Sequence, residues 1–316
     1  MHSTPIWTLT DGNAGNRRQA QALADALDRG AVTDWVLQPH LPWSVSAPRS
    51  FAGAEHAFGT TFTRALEQPP PLAIGCGRQA ALATRLLRDR GSKAVQILDP
   101  RIDTRHWDLV VAPEHDLLQG DNVITLLGSL NPVDDPWLDS ARAAFAAFAA
   151  LPQPRTALLL GGISSHARFD LDAFQPLVAR LEAVLARDGG SLLVTSSRRT
   201  PADLLAALRG RSFGVPGMVW CGEADGPNPY DGLLAWADRI VCSPDSVNMV
   251  SEASATHAPV FVSDPWRVSG RPRRFLDSML ALGRVREMDA RLDPFPAQPL
   301  RETGRVAALV RQRLAL

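Results

Sequence analysis

Short apolar runs alternate with longer helical patterns along most of this chain. Runs such as PIWTLTD (5–11) and RTALLLGG (155–162) are each followed by a segment whose apolar residues recur at helical spacing. Buried parallel strands connected by helices produce this rhythm, so the sequence predicts an α/β fold. The rhythm occurs in two similar series. We therefore expect two Rossmann-like, doubly wound domains that face each other across a cleft.

An alanine-rich segment separates the two series. The stretch PWLDSARAAFAAFAALPQP (136–154) has the pattern of a helix and ends in a proline-marked break. We place an N-terminal Rossmann-like domain at 1–150 and a C-terminal Rossmann-like domain at 151–299. The segment 300–316 is predicted to be a helix that packs back on the N-terminal domain.

Charge and cysteine content exclude several classes of function. The chain has 33 basic and 33 acidic residues, so it lacks the basic surplus expected of a nucleic-acid partner. Its three cysteines are far apart, which suggests neither disulfides nor a zinc site and suits a reducing cytoplasm. No segment approaches the roughly 20 apolar residues that span a bilayer. We expect a cytoplasmic protein.

Peripheral contact with the inner membrane stays open. Aromatic residues cluster in a proline-rich part of the first half. They suit either a membrane-facing surface or a buried core, and the sequence favours the core. These residues are Trp35, Trp43, Phe51 and Phe58.

Polar turns follow the predicted strands of the second half. Ligands of doubly wound sheets bind beyond the carboxyl ends of the strands. Glycines let a backbone approach a ligand, while hydroxyls, arginine and helix N-termini suit phosphate. The candidate donor-site residues in these turns are Gly161, Gly162, Ser164, Thr195, Ser196, Ser197, Arg198, Asn228, Tyr230, Asp245, Ser246 and Glu252.

The helix after SPDS (243–246) carries a polar stripe on one face. Either Asp245 or Ser246 can cap this helix. Glu252 lies two turns on, where a carboxylate can accept both hydroxyls of a ribose, and Asn248 on the same stripe has no assigned role. The stripe fits either a solvated face or a ligand site.

Metal and cofactor sites are not predicted. Asp170 and Asp172 form an Asp-x-Asp pair, but their position at the start of a helix favours capping over metal binding. GCGRQA (75–80) superficially matches a dinucleotide fingerprint, although it lies in a later βα unit. We expect no cofactor.

The first half offers candidates for an acceptor site and a base. His115 stands between two carboxylates and is the most plausible titratable base in the chain, although the sequence slightly favours a turn histidine satisfied by backbone. The candidate catalytic residues are His115, Asp11 and Asp116. The candidate acceptor-side residues are Gly15, Asn16, Gly75, Gly77 and Arg78.

Two families resemble this chain. Residues 157–262 are similar to the donor-binding half of GT-B glycosyltransferases of the MurG type, in which a glutamate matching Glu252 binds ribose. Motifs along nearly the whole chain, including TDGNAGNRRQ, VQILDPR and NPYDGLLAWADRIVCSPDSVNMVSEA, resemble the mitochondrial-fission Elm-like family. Plant members of that family are organelle-fission factors, and bacterial members lack a firmly assigned reaction.

The resemblance implies a metal-independent GT-B glycosyltransferase that uses a UDP-sugar, with a lipid or cell-envelope glycan as acceptor. It implies that 1–150 is the acceptor-side domain and that 151–299 is the nucleotide-sugar-binding domain. A non-catalytic nucleotide-binding scaffold, as in the plant members, is the alternative. MurG-type enzymes place a histidine in the first glycine loop, where this chain has Asn16. An NAD-dependent epimerase would need a Tyr-x-x-x-Lys pair, which the one tyrosine, Tyr230, and the one lysine, Lys93, cannot form.

Overall fold

The computed structural model of this protein describes residues 5–27 and 30–316. The chain folds into two compact units. The first unit extends to Pro132 and also includes Glu302–Leu316, while the second comprises Val133–Arg301. Each unit contains a six-stranded parallel sheet with helices, so the predicted α/β class and its two Rossmann-like sheets are confirmed.

The first unit has the strand order β2-β1-β3-β4-β5-β6. Its strands are β1 (Ile6–Thr10), β2 (Val32–Val36), β3 (Leu72–Cys76), β4 (Lys93–Ile97), β5 (Leu109–Pro113) and β6 (Val123–Leu126). The helices that precede β6 are α1 (Ala14–Leu27), α2 (Trp43–Ser46), α3 (Gly59–Ala65) and α4 (Arg78–Arg88). The order reverses between β1 and β3, whose last residues, Thr10 and Cys76, lie side by side.

The second unit has the strand order β12-β11-β10-β7-β8-β9. Its strands are β7 (Arg155–Leu159), β8 (Ser191–Thr195), β9 (Gly217–Trp220), β10 (Arg239–Cys242), β11 (Val260–Val262) and β12 (Val285–Glu287). Its helices are α5 (Asp135–Ala144), α6 (Leu171–Asp188), α7 (Ala202–Arg209), α8 (Tyr230–Trp236), α9 (Val247–Ser254) and α10 (Gly270–Ala281). Leu159 of β7 and Cys242 of β10 are paired at the point where the order reverses.

The boundary between the units differs from the one expected at residue 150. The alanine-rich segment is helical only as α5, followed by a short 3-10 turn at Ala146–Ala150. It belongs to the second unit because α5 packs against α8. The contact is so close that the ring of Phe145 leaves no room for a side chain at Gly232. Apolar periodicity identifies a helix, but it does not reveal which sheet the helix covers.

The last helix, α11 (Thr303–Leu314), belongs to the first unit. It packs against α1 and β6. Its buried residues Val306, Ala307 and Val310 join the same core cluster as Ile6 of β1. The first unit is therefore built from two separate stretches of the chain.

Asp188 joins two arginines at the amino end of the second sheet. Its Oδ1 accepts from Arg187 Nε at 2.6 Å, and its Oδ2 accepts from Arg239 Nη1 at 2.7 Å. The side chain of Arg239 is only 9% exposed. The hydrogen bonds from Arg187 and then Arg239 lower the pKa of Asp188 to about 2.

We expect Asp188→Asn to lower the free energy of unfolding at neutral pH by about 1–3 kcal/mol, since it weakens the pairing of a buried arginine. The pKa of Asp188 lies below the about 3.9 of an unfolded aspartate, so its ionised form stabilises the fold above that pH. This contribution is lost as the pH falls towards about 2. Urea titrations across this range should show a shallower acid loss in the variant.

Asp293→Asn is the matched control for this prediction. Asp293 pairs with Arg291, but both side chains are more than half exposed. An exposed pair contributes roughly 0–1 kcal/mol. Equal effects of the two substitutions would contradict the assignment of a stabilising role to Asp188.

Candidate functional site

The turn after β7 packs directly against the turn after β10. Gly161 N donates to Ser243 Oγ at 2.7 Å, and Gly162 N donates to Asp245 Oδ2 at 2.9 Å. A Cβ on Gly161 would lie 2.1 Å from that carboxylate oxygen, and one on Gly162 would lie 2.0 Å from the carbonyl oxygen of Arg199. Both N–H groups therefore donate within the unit. A ligand would have to displace these partners to reach them.

Asp245 is a buried residue that joins these turns at the switch point, the place where the strand order of the second sheet reverses. Its side chain is fully buried, and Oδ1 accepts from Ser243 Oγ at 2.6 Å. Arg199 Nη2 donates to Oδ2 at 2.9 Å. The cap of α9 is Ser246, whose Oγ accepts from Met249 N, so Asp245 does not cap the helix. Burial of a charge is tolerated where it is paired and hydrogen-bonded in this way.

The turn after β8 contributes two arginines in different roles. Thr200 Oγ1 donates to Gly161 O at 2.5 Å and accepts from Ser197 N at 2.9 Å, which ties this turn to the glycine turn. Arg199 pairs with Asp245. Arg198 is exposed and makes no hydrogen bond or ion pair to the residues that the structure describes. Arg198 is the predicted site residue, whereas Arg199 makes the buried contact, because nothing in the sequence distinguishes two adjacent arginines in one turn.

The other hydroxyl candidates occupy neighbouring positions. Thr195 ends β8, and Ser196 follows it with a buried Oγ that has no partner within the described part of the chain. A buried hydroxyl without a protein partner is suited to a water or a ligand atom. Ser164 lies further along the glycine turn, where its Oγ accepts from His166 N at 3.3 Å.

Glu252 and Tyr230 meet between α9 and α8. Glu252 is 5% exposed, and Tyr230 Oη donates to its Oε2 at 2.5 Å. Asn228 Oδ1 accepts from Tyr230 N at 3.0 Å, which fixes the turn before α8. The structure thus brings together three donor-site candidates that are up to 24 residues apart in the sequence.

Two arginines hold the far end of α9. Arg284 Nε donates to Ser254 O at 2.9 Å, and its Nη2 donates to Thr256 O at 2.9 Å. Arg301 Nε donates to Ala255 O at 3.1 Å. Burial lowers the pKa of Arg284 to about 10. Cations at a helix C-terminus are stabilising, so these contacts fix the helix that carries Glu252.

The switch point of the first unit joins the turns after β1 and β3. Asn16 Nδ2 donates to Asp11 Oδ1 at 2.9 Å, and a Cβ on Gly77 would lie 2.7 Å from the same Nδ2. Gly75 lies against Thr84 and Gln96, where a Cβ would approach to 2.6 Å and 2.8 Å. Asp11, Asn16 and Gly77 are therefore neighbours, whereas Gly75 lies within β3 and packs against α4 and β4.

The remaining candidates of the first unit lie elsewhere on it. His115 and Asp116 form a 3-10 turn after β5, separated from β1 by two strands, or roughly 14 Å at the usual strand spacing. Asp11 and His115 thus do not form one cluster. Gly15 lies in the first turn of α1. Arg78 donates from Nη1 to Val45 O at 3.1 Å and holds the segment around α2.

Asp170 caps α6, as its position predicts, by accepting from Ala173 N at 3.3 Å. Within residues 5–27 and 30–316, no three His, Cys, Asp or Glu side chains are grouped as metal ligands would be.

Within the same described residues, no helix has the length and apolar character needed to cross a bilayer. Of the aromatic cluster, Trp35, Trp43 and Phe58 are half-buried against the core, while Phe51 is 45% exposed.

Comparisons with known sequences agree with the second resemblance. The family model described as mitochondrial fission ELM1 matches residues 14–314. The mitochondrial fission protein ELM1 of Arabidopsis thaliana is 30% identical over 276 residues, covering 78% of this chain and 64% of that protein, less than two thirds of its length. The uncharacterized protein RP120 of Rickettsia prowazekii is 22% identical over 98% of this chain and 99% of that protein.

Comparisons with solved structures agree with the first resemblance. UDP-GlcNAc 2-epimerase from Methanocaldococcus jannaschii matches 99% of this chain over 100% of its own, with TM-score 0.59 and 10% identity. The glycotransferase of kitacinnamycin matches 99% and 100% with TM-score 0.56 and 15% identity. Os79 from O. sativa in complex with UDP matches 98% and 91% with TM-score 0.52 and 12% identity. The chain therefore has a GT-B-like fold.

Proposed function

The chain belongs to the mitochondrial fission ELM1 family, and from the geometry of its second unit we propose that it is a glycosyltransferase that uses a UDP-sugar. The observation that carries the proposal is the buried carboxylate of Glu252, which lies on α9 and accepts a hydrogen bond from the phenol of Tyr230. Helix α9 begins at the point where the strand order of the second sheet reverses. Solved proteins of similar fold are described as glycosyltransferases or as complexes with UDP, which supports the same reading.

The diphosphate would lie at the start of α9. Ser246 caps this helix, and the helix N-terminus carries about half a positive charge. Arg198 is next to Arg199, the partner of Asp245, and its guanidinium, which pairs with no described residue, would contact the diphosphate. Arginine and a helix dipole together can balance a leaving diphosphate without a metal ion. Glu252 would accept the hydroxyls of the ribose two turns further along.

We expect Arg198→Ala to weaken UDP binding about tenfold with an unchanged melting temperature, because it removes a charge-assisted contact and nothing in the fold. Arg199→Ala is expected to lower the melting temperature, because it leaves the carboxylate of Asp245 buried without its guanidinium. Calorimetry with UDP and thermal unfolding separate the two effects. A wild-type protein that binds no UDP at millimolar ligand would overturn the proposed function itself.

Transfer with inversion needs a general base that takes the proton of the acceptor hydroxyl. We propose that the first unit supplies this base. Asp11 lies at the switch point beside Asn16 and Gly77. His115 and Asp116 lie beyond β5 at the same edge of the sheet. General-base catalysis contributes about 10²–10⁴-fold. The pH dependence of turnover in Asp11→Asn and His115→Gln variants assigns the base.

We propose a lipid-linked or cell-envelope glycan acceptor, and a cytoplasmic protein in peripheral contact with the membrane. Exposed apolar residues in the segment after β2 support this: Leu41 is 75% exposed, Val45 71% and Phe51 45%. If the acceptor is lipid-linked, a bacterial lipid extract should stimulate the release of UDP from UDP-sugars. Water-soluble glycans should not stimulate it.

A nucleotide-binding scaffold without catalysis is the second candidate. The plant relative, described as a mitochondrial fission protein, favours it. A scaffold would bind UDP with the same dependence on Glu252 but would leave UDP-sugars unchanged with every acceptor fraction. Turnover measured beside calorimetry on the same preparation distinguishes the two candidates.

An epimerase is the third candidate, favoured by the similarity to UDP-GlcNAc 2-epimerases. Its NAD-dependent form would need a Tyr-x-x-x-Lys pair, which the one tyrosine, Tyr230, and the one lysine, Lys93, are too far apart in the sequence to form. NMR of the sugar after incubation with UDP-GlcNAc detects an epimerised product. Absorbance of the purified protein detects bound nicotinamide.

A further inference from the structure

Tyr230 donates a hydrogen bond to the carboxylate of Glu252 and so can fix its orientation. It is the one tyrosine of the chain and the first residue of α8. Its Oη donates to Glu252 Oε2 at 2.5 Å, the length of a short, charge-assisted hydrogen bond. The bond joins α8 to α9, two helices that follow different strands of the second sheet.

The backbone of Tyr230 is held on both sides. Before it, Asn228 Oδ1 accepts from Tyr230 N at 3.0 Å. After it, α8 lies against α5 with Gly232 directly on the ring of Phe145, and Arg142 Nε donates to Ala235 O at 3.0 Å. The phenol oxygen is therefore presented from a fixed position.

Glu252 needs such a partner to be useful as a ligand group. A long carboxylate side chain has several rotamers, and ordering it costs rotamer entropy. A carboxylate has about four acceptor sites, so accepting from a phenol is compatible with accepting from the two hydroxyls of a vicinal diol. Fixing the carboxylate before a ligand arrives removes that entropy from the cost of binding.

We propose that Tyr230 is a positioning residue that orients Glu252 towards the vicinal diol of a ribose and thereby determines selection of ribonucleotides over 2′-deoxyribonucleotides. This inference rests on the proposed UDP-sugar site. It goes further by assigning the selectivity to a residue that acts through another and does not itself touch the sugar ring.

The first test observes the contact without nucleotide. Incorporation of 3-fluorotyrosine labels one position, so the protein should give a single ¹⁹F resonance. We expect Glu252→Gln to shift this resonance and Glu287→Gln, at an exposed position of β12, to leave it in place. A resonance that is the same in all three proteins would overturn the inference.

The second test measures the dissociation constants of UDP and 2′-deoxy-UDP by calorimetry. We expect the wild type to prefer UDP by about tenfold or more, and Tyr230→Phe to reduce this preference to about threefold or less. The melting temperature should fall only by the few degrees expected from one lost hydrogen bond, because the ring remains packed. In a Glu252→Gln background, Tyr230→Phe should have no further effect on the preference, since it acts through that carboxylate.

The outcomes separate the inference from its premise. If the wild type binds neither nucleotide, the proposed function fails and the inference fails with it. If the wild type prefers UDP and Tyr230→Phe keeps the whole preference, the inference alone is overturned. A loss of preference accompanied by a large fall in melting temperature would also overturn it, since the phenol would then be a structural support.

Discussion

Gly161→Ala is expected to destabilise the second unit by about 3–5 kcal/mol, which corresponds to a fall of about 10 °C in melting temperature. The new Cβ would lie 2.1 Å and 2.2 Å from the two carboxylate oxygens of Asp245. That carboxylate cannot retreat without leaving Ser243, Gly162 and Arg199, its hydrogen-bond partners. The substitution therefore breaks a buried ionic network and does not merely crowd a turn.

Gly210→Ala is the control, measured by thermal and urea unfolding. Gly210 follows α7 in the same unit with ordinary helical dihedrals, and its nearest neighbour to a new Cβ is Ala206 O at 3.5 Å. It should be neutral or slightly stabilising, since alanine loses less backbone entropy than glycine. Similar melting temperatures for the two variants would mean that the glycine turn is not packed as described.

Glu252→Gln is expected to weaken UDP binding about 10- to 150-fold, because hydrogen bonds to a charged group contribute about 1.5–3 kcal/mol. The amide keeps the shape of the side chain but loses the charge and one acceptor oxygen. The melting temperature should fall only modestly, because a glutamine oxygen still accepts from Tyr230. Calorimetry with UDP and thermal unfolding of the same samples give both quantities.

Glu287→Gln controls for the loss of one negative charge on the same unit, at an exposed position of β12. It should bind UDP as the wild type does. An affinity of Glu252→Gln within about twofold of the wild type would remove Glu252 from the site and leave the fold-level similarity without a functional residue.

The strand-end turns could be predicted from the sequence, because apolar runs and glycine–serine punctuation are local features. The role of Asp245 could not. An aspartate before a helix matches a cap, and only the pairing of β10 with β7, more than 80 residues earlier in the chain, places Gly162 N against its carboxylate. Ser246 fits a cap equally well by sequence, and it is the residue that caps.

The pairing of Tyr230 with Glu252 is also non-local. Periodicity places Glu252 on a polar stripe of its helix, and the position of Tyr230 in a strand-end turn is the only sequence feature that points to it. Their contact depends on how α8 and α9 pack on the sheet, which no spacing within either helix encodes. The choice of Arg199 over Arg198 as the partner of Asp245 depends likewise on the direction in which one turn projects its side chains.

The return of α11 to the first unit has a consequence for synthesis. A ribosome translates the whole of the second unit before it reaches Thr303. Until then the nascent first unit lacks Val306, Ala307 and Val310, which complete the core around Ile6 and Leu23. All elements of the second unit are therefore translated before the first unit is complete. Until α11 is translated, the first unit exposes apolar surface that α11 later covers, and exposed apolar surface makes a nascent chain a substrate for chaperones.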